Sequence, residues 1–250
     1  MSAARPPAIH ARRLDACVQR IQQEKVDGYL ITSRTDQYYL TGFNGEDGAA
    51  LILPRRVYLL TDGRFRDEAV RDAPWAKAVI RNGTLADELN RVLRRHRIRR
   101  LGFQPEAMTV AAHRRFTAAI RPVKLVPMPP IPQELRVRKD DAEVRAIERA
   151  VEIAQTAFQK TIRRIKIGMT ERELAANLQH EMMRLGASGP SFPIIVAEGP
   201  NAALPHAVPG DRRIREGSLV LIDWGATVDG YRSDLTRVVF IRRIPPRFRR

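Results

Sequence analysis

The chain has 250 residues, 44% of them hydrophobic, enough for one large core or two ordinary ones, and carries a net charge of +16. No apolar run approaches the ~20 residues of a membrane span, and the opening MSAARPPAIHARR has no apolar stretch resembling a signal sequence. The one cysteine, Cys17, excludes an internal disulfide, and the reading expects a cytoplasmic protein with no membrane partner.

The positive charge is clustered. Residues 91–100 hold six arginines and residues 242–250 five. Such clusters attract nucleic acid or anionic surfaces, or form a solvated helix face in an arginine-rich chain. Aromatic residues are only 6% of the chain and none interleaves the basic run to stack bases, so a nucleic-acid partner is not expected.

Leu14, Val18 and Ile21 have the spacing of an amphipathic helix, and Tyr29–Ile31 reads as a short strand. Ala49–Leu53 and Val57–Leu60 read as strands about a Pro54-Arg55 turn, followed by a turn at Thr61-Asp62-Gly63-Arg64 and helical pattern from Phe65. A strand at Ala78–Ile80, a helix over Leu85–Arg95, a strand at Arg100–Phe103 and a helix over Val110–Ala119 complete an alternating α/β layer. Asp62 and Arg64 read as a turn cap and an ion pair. Four prolines between Pro127 and Pro132 favour an extended connection, which places a linker at residues 131–138 between domains spanning 11–130 and 139–250.

Beyond it, Asp140 or Asp141 caps a helix whose apolar stripe is Val144, Ile147, Val151, Ala154, Phe158, Ile162 and Ile165, stopped by Gly168. Thr170-Glu-Arg-Glu173 is a capping box for a second helix that buries Leu174, Leu178, Met182 and Leu185 and leaves His180 on the surface. Phe192–Val196 reads as a strand. A Gly- and Pro-rich loop then leads to His206.

The chain converges on a hairpin at residues 218–240. Leu219–Ile222 is continuous β-former ending at Asp223, Asp229-Gly230 is a strong two-residue turn signal, and the return strand carries Asp234. With Asp229-Gly230 as the turn, Asp223 pairs opposite Thr236, and Asp234 lies two residues away on the same face. The carboxylates are then diagonal neighbours, roughly 7–8 Å apart at Cα. Asp223 is expected to be buried, and two like charges on one face call for a shared proton or a cation between them. Oxygen donors so placed suit a divalent ion. The alternative from the residues alone is that one Asp caps a turn and the other pairs with Arg232 or Arg237.

The ordered run Phe192-Pro-Ile-Ile-Val, Gly199-Pro-Asn-Ala-Ala-Leu-Pro-His206, Glu216–Ala226 and Gly230-Tyr-Arg-Ser-Asp234-Leu-Thr-Arg resembles the pita-bread metallopeptidases, in the Xaa-Pro aminopeptidase and prolidase branch. Residues 11–130, including Leu60-Thr-Asp-Gly-Arg64, resemble their creatinase-type N-terminal domain. The resemblance implies an α/β (α+β) chain: a creatinase-type N-terminal domain followed by the first half of a pita-bread catalytic domain. It implies hydrolysis of the peptide bond preceding proline, with two divalent metals activating a bridging hydroxide; manganese is the expected ion and zinc or cobalt the alternatives. Asp223 matches the family's bidentate metal ligand, Asp234 the bridging ligand, and His206 the catalytic histidine that binds substrate and steadies the tetrahedral intermediate. The implied partner is a peptide with proline at its second position, and relatives commonly form homo-oligomers. The family also uses a histidine and two glutamates after the second Asp, whereas no His or Glu follows Asp234 here. The expectation is therefore a C-terminally truncated member with incomplete metal binding. A non-catalytic protein-binding module of the same fold is the alternative, against which the retention of Asp223, Asp234 and His206 argues.

Overall fold

The computed structural model describes residues 6–244 and 246. The chain divides between Arg138 and Lys139 into two compact units. In the first, helix α1 (Ala8–Gln23) leads to β1 (Gly28–Ile31), α2 (Arg34–Thr41), and the antiparallel pair β2 (Ala49–Leu53) and β3 (Arg56–Thr61). Then follow α3 (Arg66–Asp72), β4 (Lys77–Ile80), α4 (Leu85–Arg95), β5 (Arg100–Phe103), α5 (Val110–Ala119), β6 (Lys124–Pro127) and α6 (Ile131–Val137). The strands form one mixed sheet in the order β4-β3-β2-β1-β5-β6.

Successive side chains of a strand point to opposite faces, and here both faces are covered. Tyr29, Ile31, Ala50, Ile52, Val57 and Leu59 pack with Leu14, Cys17 and Ile21 of α1 and Ile131 of α6. Leu30, Leu51, Leu53, Tyr58 and Leu60 pack instead with Leu89, Val92 and Leu93 of α4 and Phe116 of α5. Strands buried on both sides read as continuous apolar runs, as these do.

Two elements depart from the sequence pattern. Helix α2 is short and polar, yet Asp36, Gln37 and Thr41 are buried; Ser33 caps it by accepting from the Asp36 N–H. The proline-rich stretch is not a linker. Lys124–Pro127 pairs in parallel with β5, and 131–137, expected to connect domains, is a helix with Ile131 and Pro132 buried. Pro132 sits in the first turn, where a missing N–H costs no intrahelical bond.

The second unit holds two long helices, α7 (Asp141–Ile162) and α8 (Glu171–Arg184), each opened by a complete capping box, Asp140 with Glu143 and Thr170 with Glu173. The strands are β7 (Gly189–Pro190), β8 (Ile195–Glu198), β9 (Leu219–Trp224), β10 (Ala226–Val228), β11 (Tyr231–Arg232) and β12 (Leu235–Phe240). They form two three-stranded sheets, β11-β10-β7 and β12-β9-β8. The strand expected at Phe192–Val196 begins only at Ile195, leaving Phe192–Ile194 outside it in irregular backbone.

The buried stripe of α7 is rotated from the expected one. Ala150, Ile153, Ala154, Ala157 and Thr161 face the core while Val144 is 42% exposed, and the helix ends at Ile162, ahead of Gly168. Small residues face inward because Trp224 lies against them: its ring stacks on Phe158 at 4.4 Å between centroids and its indole N–H donates to the Ala154 carbonyl at 2.9 Å. Among the described residues no helix is long and apolar enough to cross a membrane.

Candidate active site

Asp229 (φ 50°) and Gly230 (φ 79°) both occupy the left-handed region, as a two-residue turn with the twist of its flanking strands requires. This sets the register down the hairpin: Val228 opposite Tyr231, Thr227 opposite Arg232, Leu235 opposite Trp224 and Thr236 opposite Asp223. The ladder breaks at Gly225, where β9 passes into β10. A Cβ at Gly225 would collide with the Ser233 carbonyl and the Ser191 hydroxyl, so the close approach demands glycine. The buried Ser233 hydroxyl completes this crossing, accepting from the Ala226 N–H at 2.9 Å and donating to the Ala150 carbonyl at 3.1 Å.

Along β9, Val220, Ile222 and Trp224 are buried and Leu219, Leu221 and Asp223 half-buried. Asp223 is therefore not buried as expected, because it lies on the strand's open face. Its Oδ1 accepts from the Thr236 hydroxyl at 3.0 Å. Asp234, just before β12, is exposed and has no hydrogen-bond or ion-pair partner among the described residues. The alternative pairing with arginine does not occur: neither Arg232 nor Arg237 reaches either carboxylate, and Arg237 donates to the Thr236 carbonyl instead.

His206 follows a 3₁₀ turn (Gly199–Ala203) on an exposed loop. The fold brings it to the same cavity as the two acids, about 490 Å³, whose polar side chains are His206, Asp223 and Asp234 and whose walls include Phe192, Pro193, Ile195 and Val208. This is the composition of a ligand site: mostly apolar, with a few polar groups that fix orientation. Two carboxylates with free lone pairs fit a divalent ion as part of a donor set. Among the described residues no three His, Cys, Asp or Glu side chains gather to hold a metal, so His206 does not join them as a third ligand.

The loop bearing His206 is anchored by acids that the sequence presents only as helix and strand ends. Glu171, first residue of α8, is fully buried. Its Oε1 accepts from the Glu198 N–H at 2.8 Å and the Asn201 side-chain amide at 3.0 Å, and its Oε2 from the Gly210 N–H at 3.0 Å. Glu198 is itself held by Arg212 and by the Ser218 hydroxyl. Burial pushes the Glu198 carboxyl up, but those bonds and the charges of Arg212 and Arg215 outweigh it and leave it below the usual carboxylate range. An acid in a helix first turn reads as capping, so nothing in the sequence marks Glu171. The other candidates play structural roles: Asp62 caps the turn at Gly63 and pairs with Arg64 at 2.7 Å, and His180 is exposed.

Residues 13–138 match the creatinase/prolidase N-terminal domain, and residues 145–250 match metallopeptidase family M24. An uncharacterized peptidase of Bacillus subtilis, YqhT, is 35% identical over 216 residues, covering 86% of this chain and 61% of the relative. The Xaa-Pro dipeptidase of Pyrococcus furiosus is 29% identical, covering 92% of this chain and 64% of the relative. The chain thus spans less than two thirds of the length of these relatives. Among solved structures, an Xaa-Pro dipeptidase from Bacillus anthracis superposes with a TM-score of 0.88 at 29% identity, over 95% of this chain and 67% of that one. An X-Pro aminopeptidase from Thermotoga maritima superposes at 0.86 and 30% identity, over 94% and 66%. By its sequence matches and its fold, the chain belongs to the creatinase/prolidase branch of the M24 metallopeptidases.

Proposed function

We propose that this chain contributes to a metal-dependent peptidase, cytoplasmic in location, that cleaves the peptide bond preceding proline in dipeptides or longer peptides. One observation carries the reading. In an arginine-rich chain, Asp223 and Asp234 reach no arginine, and they open with His206 on a single apolar-walled cavity.

Each residue has a definable task. The Thr236 hydroxyl fixes the Asp223 carboxylate and leaves its second oxygen free to ligate; Asp234 is free on both. Asp223 and Asp234 are the ligands to divalent ions, read as two manganese ions, with zinc or cobalt as alternatives. Such ions supply Lewis-acid activation of water near neutral pH. The His206 imidazole donates a hydrogen bond to the oxygen that gains charge as the carbonyl is attacked, a contact worth most where water is excluded. The apolar walls at Phe192, Pro193, Ile195 and Val208 suit an apolar ring such as proline, and a bound peptide would displace water from them.

The test is manganese binding to the 250-residue chain, followed by the spin resonance of the free ion. A two-carboxylate donor set should bind weakly, with a Kd on the order of 10⁻⁴–10⁻³ M, as weak oxygen-donor sites do. Asp234→Asn should weaken binding at least about tenfold. Equal affinity in the variant removes Asp234 from the site. Hydrolysis of a Gly-Pro or Ala-Pro peptide, with and without added manganese, then tests the reaction itself.

A further inference from the structure

The carboxylate of Glu171 is fully buried, carries no arginine partner and spends its oxygens on three N–H donors. Those donors lie at both ends of one loop. Glu198 and Asn201 stand where the chain leaves β8, and Gly210 where it returns after His206. Backbone bonds run alongside: the Glu171 N–H donates to the Arg212 carbonyl and the Arg172 N–H to the Gly210 carbonyl, both at 3.1 Å. Inside the loop, a Leu204 N–H to Asn201 carbonyl bond (2.9 Å) and an Ala207 N–H to Leu204 carbonyl bond (3.3 Å) pass the orientation of Asn201 along to the residues flanking His206.

We propose that Glu171 is a positioning residue that closes the 199–209 loop at its base and thereby aims His206 into the cavity shared with Asp223 and Asp234. A carboxylate suits the task because it accepts on both oxygens; an amide accepts on one only. Glu171→Gln keeps the shape but turns an NH₂ toward the Gly210 N–H or toward the Glu198 and Asn201 donors, leaving buried donors unanswered on one side. The effect of this clamp on catalysis rests on the reading of His206 as the substrate contact. The clamp itself does not.

The experiment follows the five histidine imidazoles by NMR in the full chain, together with amide hydrogen exchange. In Glu171→Gln the His206 signals should move or broaden while those of His10, His96, His113 and His180 stay in place. Exchange across 199–209 should quicken about tenfold, as expected from one lost hydrogen bond, with α7 and β9 unchanged. A general loss of stability would instead move all regions together. Asn201→Ala removes one donor from the loop side and provides the test if Glu171→Gln does not fold; it should loosen the same segment to a lesser degree. An unmoved His206 signal and unchanged loop exchange in the folded variants overturn the proposal. If the clamp behaves as described but His206→Gln leaves peptide binding and cleavage intact, only the role assigned to His206 falls.

Discussion

Both units pair their structural carboxylates with arginine, but two acids of the second unit stand apart. In the first, the buried Asp36 accepts from the Gln104 amide at 2.7 Å and pairs with Arg136 at 3.4 Å; Asp47 meets Arg81 at 2.5 Å and Glu88 meets Arg91 at 2.7 Å. The second unit answers its structural acids in the same way, Glu181 with Arg164 at 2.6 Å and Glu198 with Arg212. Asp223 and Asp234 break that pattern. One meets a hydroxyl, the other nothing among the described residues, although the chain has 44 Lys and Arg against 28 Asp and Glu. A carboxylate built for stability finds a cation or several N–H groups; one kept for a ligand has lone pairs to spare. What sets these two apart from solvated surface acids is that they line one apolar-walled cavity together with His206.

Asp36→Ala should cost about 3–5 kcal/mol, because it leaves Arg136 and Gln104 facing an emptied buried site; urea unfolding reads it directly, and a cost below ~1 kcal/mol would remove the distinction between the two kinds of acid. Gly225→Ala should cost about 3 kcal/mol, at the upper end of overpacking, and amide exchange should place the damage in the hairpin and not in the six-stranded sheet. A smaller effect concerns acid. The Glu198 carboxyl sits below its ordinary 4.5 in the folded chain. Its stabilisation is then complete above about pH 4.5 and is lost as the pH falls through the lower folded value. Glu198→Gln should therefore be less stable than wild type at neutral pH but show a shallower decline of Tm between about pH 5 and pH 3. An unchanged slope would show that other groups carry the acid limb. Smallest of all, Asp234→Asn should change stability by no more than about 0.5 kcal/mol, as for a surface substitution, while weakening manganese binding. A large stability loss there would make Asp234 one more structural acid.

Much of this was legible in the residues. Helices α4 and α5 and strand β5 lie where periodicity places them, since strong apolar spacing with flanking turns is decided locally. The Asp229-Gly230 turn and the Asp223–Thr236 register follow from a turn that needs two left-handed residues. Helix α2 was not legible, because its inward face mixes Tyr39 and Leu40 with Asp36, Gln37 and Thr41, and the polar part meets distant partners such as Gln104. Nor was α6, where a proline-rich run is helical because its prolines fall before the helix and in its first turn, and Ile131 gains a core to pack in.

By itself, then, the sequence determined the strongly periodic elements, the hairpin register and the family, and marked His206, Asp223 and Asp234 as candidates, because turn chemistry, spacing and motif order are properties of the chain. Tertiary structure alone decided that Asp223 lies on a half-open face, that the basic side chains pass both acids by, and that the buried Glu171 ties down both ends of the His206 loop. Burial and partner choice depend on residues tens of positions apart meeting in space, and no local pattern encodes which of them will meet.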